Sequence, residues 1–232
     1  MPEGQRIGVI IPAFNEEQSI ALVLDSIPRC VHDIVVVDNG SIDGTPAAAT
    51  GAGATVLREP RKGYGFACLK GIEYLQQRNI DVVVFLDGDF SDYPEELTDV
   101  IRPIQEEGYE MVIGSRLLGK REPGALLPQA LIGNWLATML IRLFWGYRFT
   151  DLGPFRAVRM SALLRMKMRD PTFGWTVEMQ IKAAKLGLDC VEVPVRYRRR
   201  IGSSKVTGTI SGTVKASLKI LYTIFKYVFI KV

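Results

Sequence analysis

Two carboxylates stand directly after a continuous apolar run in this chain. The run 82–86 (VVVFL) leads into Asp87, Gly88 and Asp89, and it is typical of a strand buried on both faces of a parallel sheet. Side chains two apart on a strand point the same way, so the two aspartates can converge at the strand's carboxyl end, where open α/β sheets bind ligands. Solvated loop acids also give this spacing by chance. A functional pair would need a cation between its charges, and this indicates Mg²⁺ or Mn²⁺, which usually also hold substrate phosphates.

Four further segments could handle anions. Arginine binds phosphate oxygens bidentately, whereas lysine acts as a point charge. The segments are 115–116 (SR), 151–156 (DLGPFR), 173–178 (FGWTVE) and 200–205 (RIGSSK). An acidic pair with separate basic groups suits a nucleoside diphosphate bridged by a cation, together with a second phosphate on an acceptor.

The elements that must position these groups are strands alternating with helices. Apolar runs predict strands at 6–11, 33–37, 54–57, 81–86 and 109–113, and helices between them. This spacing predicts βαβ units and a parallel, right-handed sheet whose loop-bearing edge is the active face. The first loop, 12–17 (PAFNEE), has no G-x-G-x-x-G, which disfavours a dinucleotide-binding enzyme.

The second half is less regular. Residues 125–141 carry no charge but are interrupted by polar residues, which favours a buried or membrane-lying helix over a span of ~20 apolar residues. Residues 188–197 alternate as a strand, and Pro194 places it at an edge or bulge. In 213–232, three lysines fall on one arc of an otherwise apolar helix. Such a helix either lies in a membrane interface or packs on the domain or a partner subunit.

The composition narrows the class of protein and the kinds of partner that it can bind. The 232 residues carry a formal net charge of +4, and the sequence pI is about 9.0. Basic clusters suit phosphates, anionic membranes or nucleic acid, but no nucleic-acid-binding motif is present. Three widely spaced cysteines form no zinc or disulfide pattern, which favours a cytoplasmic protein. The only histidine, His32, is expected at the surface.

Taken together, these motifs resemble the family 2 glycosyltransferases of the GT-A fold, within them the dolichyl- or polyprenyl-phosphate mannosyl- and glucosyltransferases. The matching pieces run in the family's order from IIPAFNEE through VVVDNGSIDGT, KGYG, FLDGDFSDYP, GSR, DLGPFRA and VEVPVRY to RIGSSK. The resemblance implies a GT-A domain over 1–210, with a nucleotide half to about 116 and an acceptor half from about 117, and a basic amphipathic helix over 211–232. The fold class it implies is α/β, Rossmann-like, with a mostly parallel central sheet flanked by helices.

The resemblance also implies roles for single residues. The nucleotide and substrate set is Pro12, Ala13, Asn15, Glu16, Asp38, Lys62, Gly63, Asp87, Gly88, Arg116, Arg156, Glu178 and Ser204. Asp87 and Asp89 would be the metal ligands, and Asp89, Asp151, Arg200 and Lys205 the catalytic set. Within these sets Asp38 would meet the base, Arg116 the acceptor phosphate, and Asp151 would be a base or acceptor-site group. The family often has glutamine or histidine where this chain has Ser91 and Asp92, so either could complete the metal shell.

The implied activity is inverting, metal-dependent transfer of a hexose from a UDP-glucose- or GDP-mannose-type donor to a polyprenyl phosphate. The enzyme would lie peripherally on the inner face of the membrane, and a homo-oligomer is left open. An acceptor hydroxyl would instead need Asp151 or Glu178 to remove its proton. The alternatives are a transferase acting on a soluble hydroxyl, a nucleotidyltransferase, and a non-catalytic membrane-binding module. The Q-x-x-R-W motif of processive relatives is absent, which argues against polymer synthesis.

Overall fold

The structure, a computed structural model, describes residues 4–202 and 210–230. In these ranges seven strands form one sheet: β1 (Ile7–Ala13), β2 (Asp33–Asp38), β3 (Thr55–Arg58), β4 (Val82–Phe85), β5 (Met111–Ser115), β6 (Arg156–Arg159) and β7 (Cys190–Pro194). Their order is β3-β2-β1-β4-β6-β5-β7. Neighbours pair in parallel except at β6, which is antiparallel to β4 and β5. The predicted mostly parallel α/β sheet is confirmed.

Helices cover both faces of this sheet. One face carries α1 (Ile20–Asp25), α2 (Thr45–Gly51) and α4 (Leu97–Arg102), and the other carries α3 (Tyr64–Gln76), α5 (Pro128–Trp145), α6 (Met160–Met166), α7 (Trp175–Leu186) and α8 (Ile210–Phe229). In β4, Val83 and Phe85 enter one core while Val82 and Val84 enter the other. Burial of both faces is what the continuous apolar run predicts.

Two observed elements differ from the prediction. The helix expected between the strands at 81–86 and 109–113 is a 3₁₀ turn (Pro94–Glu96), α4 and a π-helical turn (Pro103–Glu107), because Pro103 has no N–H to continue the α-helical ladder. Strand β6 was not predicted, since its four residues, RAVR, have a charge at each end. It is stable there because the Arg159 guanidinium donates to the carbonyls of Tyr109 (2.9 Å) and Ile104 (2.6 Å).

The sheet directs the predicted site segments to one edge. β1, β2, β4, β5 and β7 all run the same way, so the residues that follow them leave the sheet on the same side. β6 runs the opposite way, and its first residue, Arg156, therefore lies at that edge as well. Pro194 ends the edge strand β7, as its position in the sequence predicted.

Helix α8 packs on the domain with one face. Ile224 and Tyr227 are buried in the core, and Lys219 Nζ lies 2.8 Å from Asp170 Oδ2. Of the three lysines predicted to share an arc, Lys215 and Lys226 are exposed. Across the described residues, no helix has the length and apolarity needed to cross a membrane.

Candidate functional site

The acidic turn after β4 holds Asp89 in a fixed orientation. Asp89 Oδ1 accepts hydrogen bonds from Ser91 N (2.9 Å) and Ser91 Oγ (2.5 Å). Phe90 between them has a left-handed φ of 60°, which turns the chain back on itself. Only 4% of Asp89 is exposed. Its carboxylate is therefore a preorganised acceptor and not a mobile loop acid.

Two neighbouring carboxylates carry unused acceptor capacity. Among the described residues, Asp87 Oδ1 and both side-chain oxygens of Asp92 are buried with no hydrogen-bond partner. Burial, and next the charge of Asp89, raise the pKa of Asp87 to about 7. Burial, and next the charges of Asp87 and Asp89, raise the pKa of Asp92 well above its ordinary value. Buried oxygen ligands without partners fit a hard divalent cation, although in the described chain no three acidic, histidine or cysteine side chains are already arranged as a metal site.

Arg200 reaches this acidic turn from the far end of the chain. Its Nη2 lies 3.0 Å from Asp89 Oδ2 and 3.3 Å from Glu16 Oε1. Glu16 is itself placed by a hydrogen bond from its backbone N–H to Thr45 Oγ1 (2.8 Å). The structure thus brings the segment after β7 to the loop after β1 and the turn after β4, the two loops that the parallel arrangement predicted to lie at one edge.

The segment after β7 lies along the acidic turn through Arg198. Its guanidinium stacks 3.4 Å from the centroid of the Phe90 ring and donates to the carbonyls of Phe90 (2.7 Å) and Asp92 (2.9 Å). The Ile201 N–H donates to the Asp89 carbonyl (3.0 Å). Sequence reasoning missed this role of Arg198, for which the only signal was the basic run 196–200. Ser204 and Lys205 lie outside the described residues.

The predicted nucleotide loops are joined to one another. Asn15 has a left-handed φ of 55°; its N–H donates to Ser41 Oγ (2.9 Å) and its Oδ1 accepts from the Ile42 N–H (2.9 Å). Asp38 Oδ1 accepts from the Ser41 N–H (3.0 Å). Pro12 and Ala13 are the last two residues of β1. The loops after β1 and β2 therefore form one wall.

Asn39 joins the loop that contains Lys62 and Gly63 to the same wall by hydrogen bonds. This role of Asn39 was not predicted from the sequence. Asn39 Oδ1 accepts from the Gly63 N–H (2.7 Å), and its Nδ2 donates to the carbonyls of Glu59 and Arg61. Lys62 Nζ lies 5.5 Å from the centroid of the Phe14 ring. A Cβ on Gly65 would lie 1.9 Å from the Asp170 carbonyl oxygen. This second glycine of the KGYG loop is thus required by packing.

Arg116 and Asp151 bind each other at the base of the site. Arg116 Nε and Nη2 lie 2.8 and 2.7 Å from the Asp151 carboxylate, and the Asp151 side chain is fully buried. Burial alone would raise the pKa of Asp151, but the charge and hydrogen bonds of Arg116 outweigh burial and lower it. A buried, paired carboxylate with a lowered pKa does not fit the predicted role of general base.

Arg156 and Glu178 also differ from expectation. Arg156 is fully buried, donates to the carbonyls of Gly153, Thr176 and Leu152, and its pKa is lowered by burial to about 10. Glu178 is buried and binds Lys182 Nζ at 2.8 Å. Phosphate contact by Arg156 and proton removal by Glu178 do not fit these positions, because neither side chain lines the cavity beside the acidic turn.

A cavity of about 590 Å³ opens beside the acidic turn. Its lining includes the polar side chains Tyr64, Asp87, Arg116, Arg199 and Arg200. It also includes apolar side chains from the loop before α5, from α5 itself and from α8, namely Leu126, Leu127, Leu131, Ala216 and Ile220. The arrangement can hold a molecule with an anionic head and an apolar tail.

The helices that line the cavity also expose apolar side chains. We define the α5/α8 face by Ile132, Trp135, Leu143, Leu218, Tyr222 and Phe229, each at least 60% exposed. Phe144 and Phe225 join the helices, with ring centroids 5.9 Å apart. Residues 125–150 and 193–232 contain no aspartate or glutamate. The face is thus apolar with basic surroundings.

Comparison with known proteins gives concordant results. The sequence profile described as Glycosyl transferase family 2 matches residues 8–166. The undecaprenyl-phosphate mannosyltransferase of Micrococcus luteus is 32% identical over 226 residues, covering 89% of this chain and 90% of that protein. The polyprenol monophosphomannose synthase of Mycolicibacterium smegmatis is 28% identical over 229 residues, covering 88% and 82%.

A solved structure has the same fold. Glucosyl-3-phosphoglycerate synthase from Mycobacterium tuberculosis, in complex with Mn²⁺, UDP and glucosyl-3-phosphoglycerate, superposes with a TM-score of 0.75 and 24% identity. The match covers 99% of this chain and 82% of that one. At this identity the likeness establishes the fold alone.

Proposed function

The chain belongs to glycosyl transferase family 2, and from that premise we propose that it transfers a hexose from a nucleoside diphosphate sugar to a polyprenyl phosphate, with inversion and with Mg²⁺ or Mn²⁺. The donor is of the UDP-glucose or GDP-mannose class. Family membership removes the nucleotidyltransferase and the non-catalytic module as alternatives. What remains to be distinguished is a lipid phosphate acceptor from a soluble hydroxyl acceptor.

The observation that carries the lipid acceptor is the mixed lining of the cavity. Arg116 and Arg200 in that lining suit a phosphate. The apolar lining includes Leu131 of α5 and Ile220 of α8, the two helices that also carry the α5/α8 face. A soluble acceptor with several hydroxyls would leave its polar groups unpaired against Leu127, Leu131 and similar walls. The names of two relatives, an undecaprenyl-phosphate mannosyltransferase and a polyprenol monophosphomannose synthase, agree with this assignment.

The donor would lie against the wall formed by the loops after β1 and β2. Pro12, Ala13, Asn15, Glu16, Asp38, Lys62 and Gly63 would form its nucleotide pocket. Asp87 and Asp89 would hold the cation, because carboxylate oxygens suit a hard ion and Asp87 Oδ1 is buried without a hydrogen-bond partner in the described chain. When bound, such a cation neutralises charge that develops on the leaving diphosphate. The Mn²⁺ in the solved relative belongs to that protein and is only consistent with this pocket.

The chemistry needs little from a base. An acceptor phosphate oxygen is already anionic at neutral pH; it attacks the anomeric carbon as the bond to the donor diphosphate breaks, and the diphosphate leaves with the bonding electrons. Arg200 and Lys205 would stabilise that departing charge. Asp151, bound bidentately by Arg116, would position this arginine beneath the acceptor phosphate instead of removing a proton.

One experiment separates the two acceptor classes. Purified protein is incubated with Mn²⁺ and a panel of radiolabelled nucleotide sugars, with a polyprenyl phosphate, the unphosphorylated polyprenol or 3-phosphoglycerate as acceptor. We expect sugar transfer to the polyprenyl phosphate alone, and Leu131→Gln should weaken use of the lipid more than hydrolysis of the donor. Transfer to 3-phosphoglycerate but not to the lipid would refute the proposal.

We also propose that the α5/α8 face contacts the membrane that holds the acceptor. Its exposed aromatic and aliphatic side chains, on segments that contain basic but no acidic residues, suit an anionic bilayer surface. Peripheral binding at the inner leaflet follows if the donor is cytoplasmic. A contact between two copies of the chain is the competing use of this face.

Vesicle sedimentation tests this contact. Leu143→Ser combined with Phe229→Ser should weaken binding to phosphatidylglycerol vesicles at least about tenfold, because two large apolar side chains no longer insert. Ile42→Ser is the matched control, since Ile42 is 91% exposed in another part of the molecule. Binding that is equal in all three proteins, or a dimer that the double variant dissociates, would contradict the proposal.

A further inference from the structure

Arg200 occupies a carboxylate oxygen that the proposed cation would need. We infer that Arg200 couples the binding of the cation to the binding of the diphosphate. Without nucleotide, Arg200 pairs with Asp89 and opposes the cation, whereas a bound diphosphate draws the guanidinium away from Asp89. The inference rests on the proposed function, because it takes the cation and the diphosphate as ligands of this site. It adds an order to their binding that the proposed function does not contain.

The hydrogen bonds of Asp89 account for both of its oxygens. Oδ1 accepts from the backbone and the hydroxyl of Ser91, and Oδ2 lies 3.0 Å from Arg200 Nη2. Oδ2 is thus the position where a cation and the guanidinium compete. A cation that binds Asp89 before the diphosphate arrives would meet a positive charge at contact distance.

The guanidinium of Arg200 uses only part of its hydrogen-bonding capacity in this position. The same Nη2 is shared between Asp89 and Glu16, with 3.3 Å to the latter. Its Nε is buried and, within the described chain, has no hydrogen-bond partner. The side chain lines the cavity and is 28% exposed. A phosphate in that cavity could therefore offer Arg200 oxygen acceptors that it lacks here.

The exchange requires the movement of a side chain and not of the backbone. On one side of Arg200, Arg198 is fixed to the carbonyls of Phe90 and Asp92. On the other, the Ile201 N–H donates to the carbonyl of Asp89. Because the flanking backbone is tied to the acidic turn itself, Arg200 stays within reach of both Asp89 and the cavity.

This competition predicts coupled affinities. If Arg200 opposes the cation only while the diphosphate is absent, nucleotide must raise cation affinity, and the cation must raise nucleotide affinity by the same factor. An opposite charge beside a carboxylate changes its affinity for a proton by roughly one to three powers of ten. We expect a change of about tenfold or more for the cation on the same physical grounds.

Electron paramagnetic resonance of free Mn²⁺ measures this directly. Mn²⁺ is titrated into the wild type, Arg200→Gln, Arg200→Lys and Arg199→Gln, each alone and with saturating UDP or GDP. Without nucleotide, Arg200→Gln should bind Mn²⁺ about tenfold or more tightly than the wild type, with a correspondingly smaller enhancement by nucleotide. Arg200→Lys should lie between them. Arg199→Gln removes the same charge from the neighbouring position, where Nε is held by the Pro123 carbonyl, and should resemble the wild type.

The outcomes separate the inference from the proposed function. If Arg200→Gln binds Mn²⁺ no more tightly than the wild type or Arg199→Gln, the coupling is overturned while the metal site stands. If the wild type binds no Mn²⁺ with either nucleotide, the metal-dependent function itself fails. Circular dichroism and thermal unfolding of each variant establish that it is folded before titration, and Arg200→Lys supplies the test should Arg200→Gln not fold.

Discussion

Asp151 and Arg116 form a bidentate ion pair, with Nε–Oδ2 at 2.8 Å and Nη2–Oδ1 at 2.7 Å. The pair joins the end of β5 to the loop before β6, and the Arg116 N–H also donates to Asp151 Oδ2 (2.9 Å). The loop is held from its other side, where Glu192 accepts from the N–H groups of Thr150 and Asp151. Such a clamp leaves Asp151 unable to swing toward a substrate.

Asp151→Asn should therefore lower the free energy of unfolding by roughly 3–5 kcal/mol, because it leaves Arg116 without its charge partner in a largely buried site. The pKa of Asp151 is lowered below its ordinary value of 3.8, so its stabilising contribution is complete above that value and disappears as the pH falls through the folded-state pKa. Urea unfolding from pH 7 to pH 3 measures both effects. A variant as stable as the wild type that has lost all activity would instead indicate a catalytic base.

Asp89→Asn should reduce sugar transfer at least about a hundredfold, because the neutral amide cannot support charge stabilisation at the leaving diphosphate. The substitution keeps an acceptor for the Ser91 N–H, so the fold should survive. Initial rates at saturating donor and Mn²⁺ measure the loss. Asp99→Asn, which changes an exposed acid paired with Arg102, is the control and should retain full activity. Activity of Asp89→Asn near that of the control would refute the role of Asp89.

Asp92→Asn should stabilise the protein when no cation is present. The raised pKa of Asp92 means that folding disfavours its ionised form, so this penalty is absent below pH 3.8 and grows as the pH rises toward the folded-state value. At pH 7 in EDTA we expect roughly 1–3 kcal/mol of added stability, from removal of a buried carboxyl group whose oxygens have no hydrogen-bond partner among the described residues. Differential scanning calorimetry measures it.

The same variant decides which group completes the metal shell. If Asp92 shares the cation, the rise in melting temperature that Mn²⁺ produces in the wild type should shrink in Asp92→Asn. Ser91→Ala should lose about 1 kcal/mol through its missing hydrogen bond to Asp89 and should keep the Mn²⁺ response. The reverse pattern would assign the position to Ser91.

Much of this architecture could be predicted from local sequence. Apolar runs predicted β1, β2, β4 and β5, and their shared edge followed from the parallel arrangement. β6 could not be predicted, because Arg159 at its end is stabilised by the carbonyls of Tyr109 and Ile104, which lie far away in the chain. Hydrophobic periodicity contains no information on such partners.

The candidate site, like the fold, could be predicted from the sequence only in part. The acidic pair and the basic 196–200 run were evident as residue types, but the contact of Arg200 with Asp89 depends on how β7 meets the acidic turn. The roles of Asn39 and Arg198 depend on backbone groups of other segments, which the sequence pattern does not identify. The sequence left open where α8 packs, because an amphipathic helix suits a membrane and a protein surface equally. In the structure, one face of α8 packs on the domain and the other face is exposed.

The glycines of the site should respond differently to substitution. A Cβ on Gly65 would lie 1.9 Å from the Asp170 carbonyl oxygen, whereas one on Gly88 would meet Ile11, Glu16 and Ile20 side chains at an ordinary 3.5 Å. Gly65→Ala should cost roughly 1–3 kcal/mol or more through overpacking, and Gly88→Ala should change stability by less than about 0.5 kcal/mol. Thermal unfolding of the two variants compares them directly. Equal destabilisation would show that backbone flexibility, and not close approach, is what both positions need.

The hydroxyl of Tyr227 ties α8 to the domain through a charged partner. It donates to Glu178 Oε1 (2.5 Å), which also binds Lys182. Tyr227→Phe removes a buried hydrogen bond to an ionised group and should lower the free energy of unfolding by roughly 1.5–3 kcal/mol. Tyr222→Phe on the same helix, where the side chain is 60% exposed, should have almost no effect. Hydrogen exchange should locate the loss of protection in Tyr227→Phe to α8, and equal exchange in the two variants would mean that apolar packing alone holds the helix.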